Sequence, residues 1–125
     1  MQPETRIQCN VLEWWNLAAR GYGLDPRLLS HCPNGGKRGK IEAGIFKAIG
    51  VRAGFEDLFL AVPAHGKPGL FVEMKAPDGR VSDAQDEMME LHRQQGYAVT
   101  VAWSFDEAIS AIINYLKSGD PLKKS

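Results

Sequence analysis

The chain has 125 residues, enough for one domain around one modest core. Hydrophobic residues make up 44% and charged residues 24%, the balance of a folded globular protein, and no apolar run approaches the roughly 20 residues of a membrane helix. Fifteen basic and fifteen acidic residues cancel, which excludes a globally basic nucleic-acid binder.

The charge is uneven along the chain. Residues 20–52 carry seven bases and two acids, with Lys37, Arg38 and Lys40 at the centre, while residues 53–125 carry seven bases and eleven acids. A local basic patch contacts phosphates even on a neutral protein, although a solvated loop gives the same pattern. Cys9 and Cys32 have neither metal-ligand spacing nor a partner framework, so two reduced thiols are expected. The N-terminal stretch MQPETRIQCN lacks an apolar secretion signal. The expectation is a cytoplasmic protein without membrane attachment.

In chain order, PETRIQCNVLEWWNLAARGYG is the first predicted helix. Ile7, Val11, Trp14, Trp15 and Ala18 form a one-sided apolar stripe, Pro3 suits the first turn, and Gly21 and Gly23 mark the end. Adjacent tryptophans at this spacing point to core or subunit interface rather than to a base-stacking platform. A short strand follows over 28–32, then a turn at Pro33-Asn34-Gly35-Gly36, then a helix over about 40–49 with Ile41, Ile45 and Ile49 in helical register. LFLAV (58–62) and LFV (from residue 70) read as strands of five to six residues. Ser82-Asp83-Ala84-Gln85 is a capping-box pattern opening a helix to about Gln95. YAVTVAW (97–103) is a strand. Ser104-Phe105-Asp106-Glu107 reads as a second capping box, opening a helix that ends by Gly119-Asp120-Pro121. The predicted order α, β, α, β, β, α, β, α gives one α/β domain over residues 1–118, with a mixed sheet flanked by helices and a loose tail at 119–125.

The segment 54–79 carries the chemistry. The loop between LFLAV and LFV is too short for anything but antiparallel strands. Folding about it brings Asp57 opposite residues 73–75, so Asp57, Glu73 and Lys75 meet at the open end. Phe71, Glu73 and Lys75 share one strand face, with Val72 and Met74 on the other. Asp57 joins the charged face if the numbers of paired residues total 130 or 132. Two carboxylates this close repel unless a positive charge lies between them. A hard divalent cation such as Mg²⁺ fits there, and a neighbouring ammonium positions a water or stabilises a developing anion, which makes a phosphodiester hydrolysis site. Ordinary strand-end ion pairs match the same three residues. His31, His65 and His92 show no ligand spacing and receive no catalytic assignment.

The ordered set of motifs resembles a known family. Glu4 and Gln8 lie in the early helix, followed by PNGGKR (33–38), GVRAGFEDLFL (50–60), FVEMK (71–75), GRVSDAQ (79–85) and the closing GYAVTVAWSFDEAISAIINYL (96–116). Together they are similar to the VRR-NUC (virus-type replication-repair nuclease) branch of the PD-(D/E)XK nucleases, over about residues 4–116. The resemblance implies a restriction-endonuclease-like mixed β-sheet core flanked by α-helices. It also implies a Mg²⁺- or Mn²⁺-dependent DNA endonuclease. Asp57, Glu73 and the Met74 carbonyl would hold the metal, Glu4 would reach it through water, Lys75 would be the catalytic lysine, and Gln85 would stand near the site. Asn34, Lys37, Arg38 and Lys40 would hold nucleic acid. The usual Pro before the Asp is Glu56 here. Stand-alone members imply a homodimer acting on branched DNA such as four-way (Holliday) junctions. The alternatives are a non-cleaving nucleic-acid-binding module of the same fold and a metal-dependent hydrolase of small substrates.

Overall fold

The computed structural model describes residues 1–33 and 40–123. Asn34, Lys37 and Arg38, three of the expected nucleic-acid contacts, lie outside the described residues. The order of elements is the one expected: α1 (Pro3–Ala18), β1 (Leu29–His31), α2 (Lys40–Ala48), β2 (Leu58–Leu60), β3 (Leu70–Met74), α3 (Asp83–Gln94), β4 (Ala98–Ala102) and α4 (Phe105–Ser118). The strands form one sheet in the order β1-β2-β3-β4. β1 and β2 pair antiparallel, as do β2 and β3, while β3 and β4 are parallel, joined through α3. The sheet is therefore mixed, as predicted.

Strand alternation sends side chains to two layers. On one face, Leu58, Leu60, Leu70, Val72 and Met74 pack with Val11, Trp15 and Ala19 from α1 and its continuation, and with Ala108, Ile112 and Tyr115 of α4. On the other, Phe71 and Val99 pack with Met89 of α3, bordered by Phe55, Phe59 and Tyr97. Trp15 is fully buried and donates its indole N–H to the Pro26 carbonyl at 2.9 Å. Trp14 is half-buried beside it. Of the tryptophan pair, Trp15 is thus core, and only Trp14 retains surface for a partner. Cys9 and Cys32 are both free thiols.

Several local expectations are corrected. β2 spans three residues rather than five or six. Its continuation meets Pro63, and the returning chain meets Pro68, neither of which can donate to a ladder. The hairpin closes instead at its tip, where Ala64 and Lys67 exchange both backbone hydrogen bonds at 2.9 Å around His65 and Gly66, with φ of 50° and 85°. Between tip and sheet, the Val62 carbonyl accepts from the Tyr115 hydroxyl at 2.6 Å. Ser104 caps α4 by accepting from the Glu107 N–H at 3.1 Å, but the Glu107 carboxylate accepts from Trp103 N–H, so only half of the second capping box forms. Ile41 and Ile45 of α2, and Ile49 just past its end, follow the expected spacing but face solvent, at 81%, 55% and 70% exposure. This helix lies outside both layers and adds little to the core. Lys40 begins it. Gly119 ends α4 in the left-handed conformation, and Pro121 beyond it is buried. Among the described residues no helix is long and apolar enough to cross a membrane.

Candidate active site

The hairpin register decides which charges meet. Leu58 pairs with Val72 and Leu60 with Leu70, so paired numbers total 130, the first of the two expected registers. One step further, Asp57 stands opposite Glu73. An Asp57 carboxylate oxygen accepts the Met74 backbone N–H at 2.8 Å, which ties the end of β2 to β3. In an extended strand the N–H and C=O of one residue point to the same side. The Met74 carbonyl therefore also faces Asp57, while Lys75 N–H points the other way, to the Ala102 carbonyl at 2.9 Å.

Glu73 is 2% exposed, a charged residue among the core positions of β3. Its Oε2 accepts from Gln85 Nε2 at 2.9 Å and lies 3.5 Å from Lys75 Nζ. Its Oε1 is buried with no partner among the described residues. Gln85 has two roles at once. Its Oε1 accepts from Ser82 N–H at 2.9 Å, its own N–H donates to the Ser82 hydroxyl, and its amide nitrogen still reaches Glu73. The complete capping box at the start of α3 thereby fixes the amide that orients the buried acid.

The electrostatics follow from this geometry. Burial, and then the charge of Asp57, push the Glu73 carboxyl up to about 8, against the opposing pull of Lys75. Burial also raises Asp57, opposed by the Met74 N–H, by a hydrogen bond with Glu73, and by the charges of His31 and Lys75. Burial thus raises both carboxyls beside the Lys75 ammonium, and the charge of Asp57 further disfavours ionisation of Glu73, whereas Glu73 favours that of Asp57 through their hydrogen bond. A divalent cation relieves both effects. The unpartnered Glu73 oxygen, the Asp57 carboxylate and the Met74 carbonyl are hard oxygen donors of the kind Mg²⁺ takes, with water completing its shell. The residues present therefore fit such an ion. Among the described residues no three His, Cys, Asp or Glu side chains gather around one point. Glu4 in particular is exposed in the first turn of α1 and does not join Asp57 and Glu73.

Three residues at this end of the sheet received no role from the sequence. His31 Nδ1 lies 2.9 Å from the Asp57 carbonyl and 3.1 Å from the Nε2 of Gln8, one turn after Glu4 in α1; it donates to the carbonyl when protonated or accepts from the amide when not, one at a time. Glu56 is fully buried and lies 2.8 Å from Nδ1 of His92. His31 and Glu56 carry no sequence signal, because their partners are 26 and 36 residues away. His92 follows Gln85 by seven residues, which places both on one helix face, and that spacing was a readable signal. Cys32, beside the site, has its thiol pushed up to about 11 by burial and by the charges of Glu56 and Asp57, so it is not a nucleophile near neutral pH.

The sequence matches the VRR-NUC domain family over residues 2–106. No curated protein matches the chain. A solved structure described as a VRR_NUC domain protein is similar at 29% identity, covering 96% of this chain and 93% of its own, with a TM-score of 0.80.

Proposed function

The chain belongs to the VRR-NUC family of nucleases, and from that premise we propose that Asp57, Glu73 and Lys75 form the centre of a metal-dependent DNA endonuclease. The domain doing this is the unit over residues 1–118. The observation that carries the reading is the buried Glu73 carboxyl, with one oxygen unpartnered among the described residues, set opposite the half-buried Asp57 and beside the Lys75 ammonium. Asp57, Glu73 and the Met74 carbonyl would hold Mg²⁺ or Mn²⁺, and Glu4, which does not gather with them, would act on the ion only through water. When bound, the ion supplies an activated water and neutralises phosphate charge. Lys75 Nζ, held by Glu73, orients the nucleophile by hydrogen bonding and offsets the developing negative charge. Gln85 keeps the Glu73 carboxylate turned toward the site. Asn34, Lys37, Arg38 and Lys40 contact the DNA backbone.

The preferred substrate is branched DNA, with the four-way junction foremost. The protein acts as a homodimer, whose two symmetric sites suit two symmetric cuts. The test is incubation of the full chain with linear, flapped and four-way junction DNA in Mg²⁺, Mn²⁺ or EDTA. Cleavage is expected in either metal, fastest on the junction, and absent in EDTA. Absence of metal-dependent cutting on every DNA form would overturn the reading. Sedimentation at twice the 13.8 kDa chain mass is expected for the dimer. A monomer at working concentration would remove the case for paired cuts.

A further inference from the structure

α3 touches the sheet through one stripe. Gln85, Met89 and His92 fall at i, i+4 and i+7, so they line one side of the helix over about 10 Å. Gln85 holds Glu73 at the N-terminal end. Met89, 2% exposed, fills the layer between. His92, near the C-terminal end, stacks flat on Phe71 with centroids 3.9 Å apart and meets Phe55 edge-on at 4.9 Å.

The segment entering β2 lies along the same stripe. Gly54 has a φ of 78°, and a Cβ there would collide with the backbone carbonyl of Ala84 in the first turn of α3. Phe55 packs on His92 and Phe71. Glu56 is fully buried, with one oxygen 2.8 Å from His92 Nδ1 and the other without a partner. A carboxylate only accepts, so Nδ1 carries the proton and donates it. Asp57 comes next. α3 thus grips Glu73 through Gln85, and grips the residues just before Asp57 through Ala84 and His92.

We infer that Glu56 and His92 are positioning residues, which set the place of Asp57 relative to Glu73 by tying the start of β2 to the helix that also holds Glu73. A buried carboxylate with one partner contributes little to stability, and an apolar pair of similar volume is often neutral or stabilising. An apolar pair has no directional bond. It fills the space without fixing where the chain enters β2. The hydrogen bond supplies direction, and catalytic carboxylates need placement to within about 0.5 Å. The inference rests on reading Asp57 and Glu73 as the catalytic acids.

The test compares Glu56→Leu, the apolar double variant Glu56→Leu with His92→Phe, and Glu56→Gln, all in the full chain. Junction cleavage gives kcat and KM, and thermal melting gives stability. The double variant is expected to melt at or above the wild-type temperature, yet to lose about 10- to 100-fold in kcat with KM unchanged. Glu56→Gln retains an acceptor for His92 and should recover most of that rate. A pair with a merely structural role would regain rate together with stability, so a double variant cutting at the wild-type rate would overturn the inference. If Glu56→Leu alone fails to fold, the double variant still decides. A second readout needs neither metal nor DNA. The Met74 amide donates to Asp57, so its proton shift and exchange protection report where Asp57 sits. Both should change in the double variant and return toward wild type in Glu56→Gln. An unchanged Met74 amide would also overturn the inference. Failure of the wild-type protein to cut DNA would instead sink the proposed function, and the amide measurement alone would then decide the role of the pair.

Discussion

Two buried glutamates lie beneath α3, one under each end. Glu73 is 2% exposed and Glu56 is fully buried. Each has one oxygen bonded to an α3 side chain, Gln85 or His92, and each has a second oxygen with no partner. What differs is the neighbourhood. Glu73 stands opposite a second carboxyl and beside an ammonium, whereas Glu56 meets the His92 ring, which is itself packed on Phe55 and Phe71. Burial and an unsatisfied oxygen therefore do not define a reaction centre. On the proposed reading, what marks the reaction centre is the pairing of two carboxyls with an ammonium. The end of α3 with two acids and a lysine suits chemistry, and the end with one acid and a ring suits alignment.

The largest expected effect tests that division directly. Asp57→Asn or Glu73→Gln should lower cleavage in Mg²⁺ by on the order of 10³ or more, since each removes a charged oxygen donor. The same isosteric change at Glu56 should be mild. Comparable losses at Glu56 and Glu73, measured as initial rates, would erase the distinction between the two ends.

Lys75→Ala comes next. Both carboxylates stay in place, so DNA affinity should change little while the rate falls on the order of 10². A variant that cuts near the wild-type rate would make Lys75 only a salt-bridge partner. Gln85→Ala should cost less, about 10-fold, by freeing the Glu73 carboxylate and half of the helix cap. Its melting temperature should also drop slightly, unlike that of Lys75→Ala.

The smallest effect is on stability, and it reads Glu73 without any substrate. The Glu73 carboxyl is raised from 4.5 to about 8 by burial and by Asp57. In that window it is protonated in the folded chain and ionised in the unfolded one. Unfolding then releases a proton, so stability falls as pH rises from about 5 to 8. Thermal melts without metal should decline by several degrees over this range. Excess Mg²⁺ should flatten the decline, and so should Glu73→Gln. A flat profile in the wild-type protein without metal would contradict the raising of the Glu73 carboxyl by burial and by Asp57.

The order of helices and strands was legible in the sequence because periodicity, caps and breakers act over a few residues. The hairpin register was legible too, since a short loop forces antiparallel pairing and alternation then decides which charges share a face. Asp57, Glu73 and Lys75 are close in that ladder, so their meeting follows from local rules. Gln85 was half legible, as the N3 residue of a capping box whose free amide end also finds Glu73. The tertiary structure alone decided the rest. It gave Glu56 its partner 36 residues away and joined His31 to the Asp57 carbonyl across 26. It left the isoleucine stripe of α2 and its C-terminal edge in solvent although the stripe's spacing is that of a buried face. Spacing fixes which residues can share a side of an element. Which surface meets that side depends on how separate elements pack, and that is settled by shape and burial over distances that no sequence window spans.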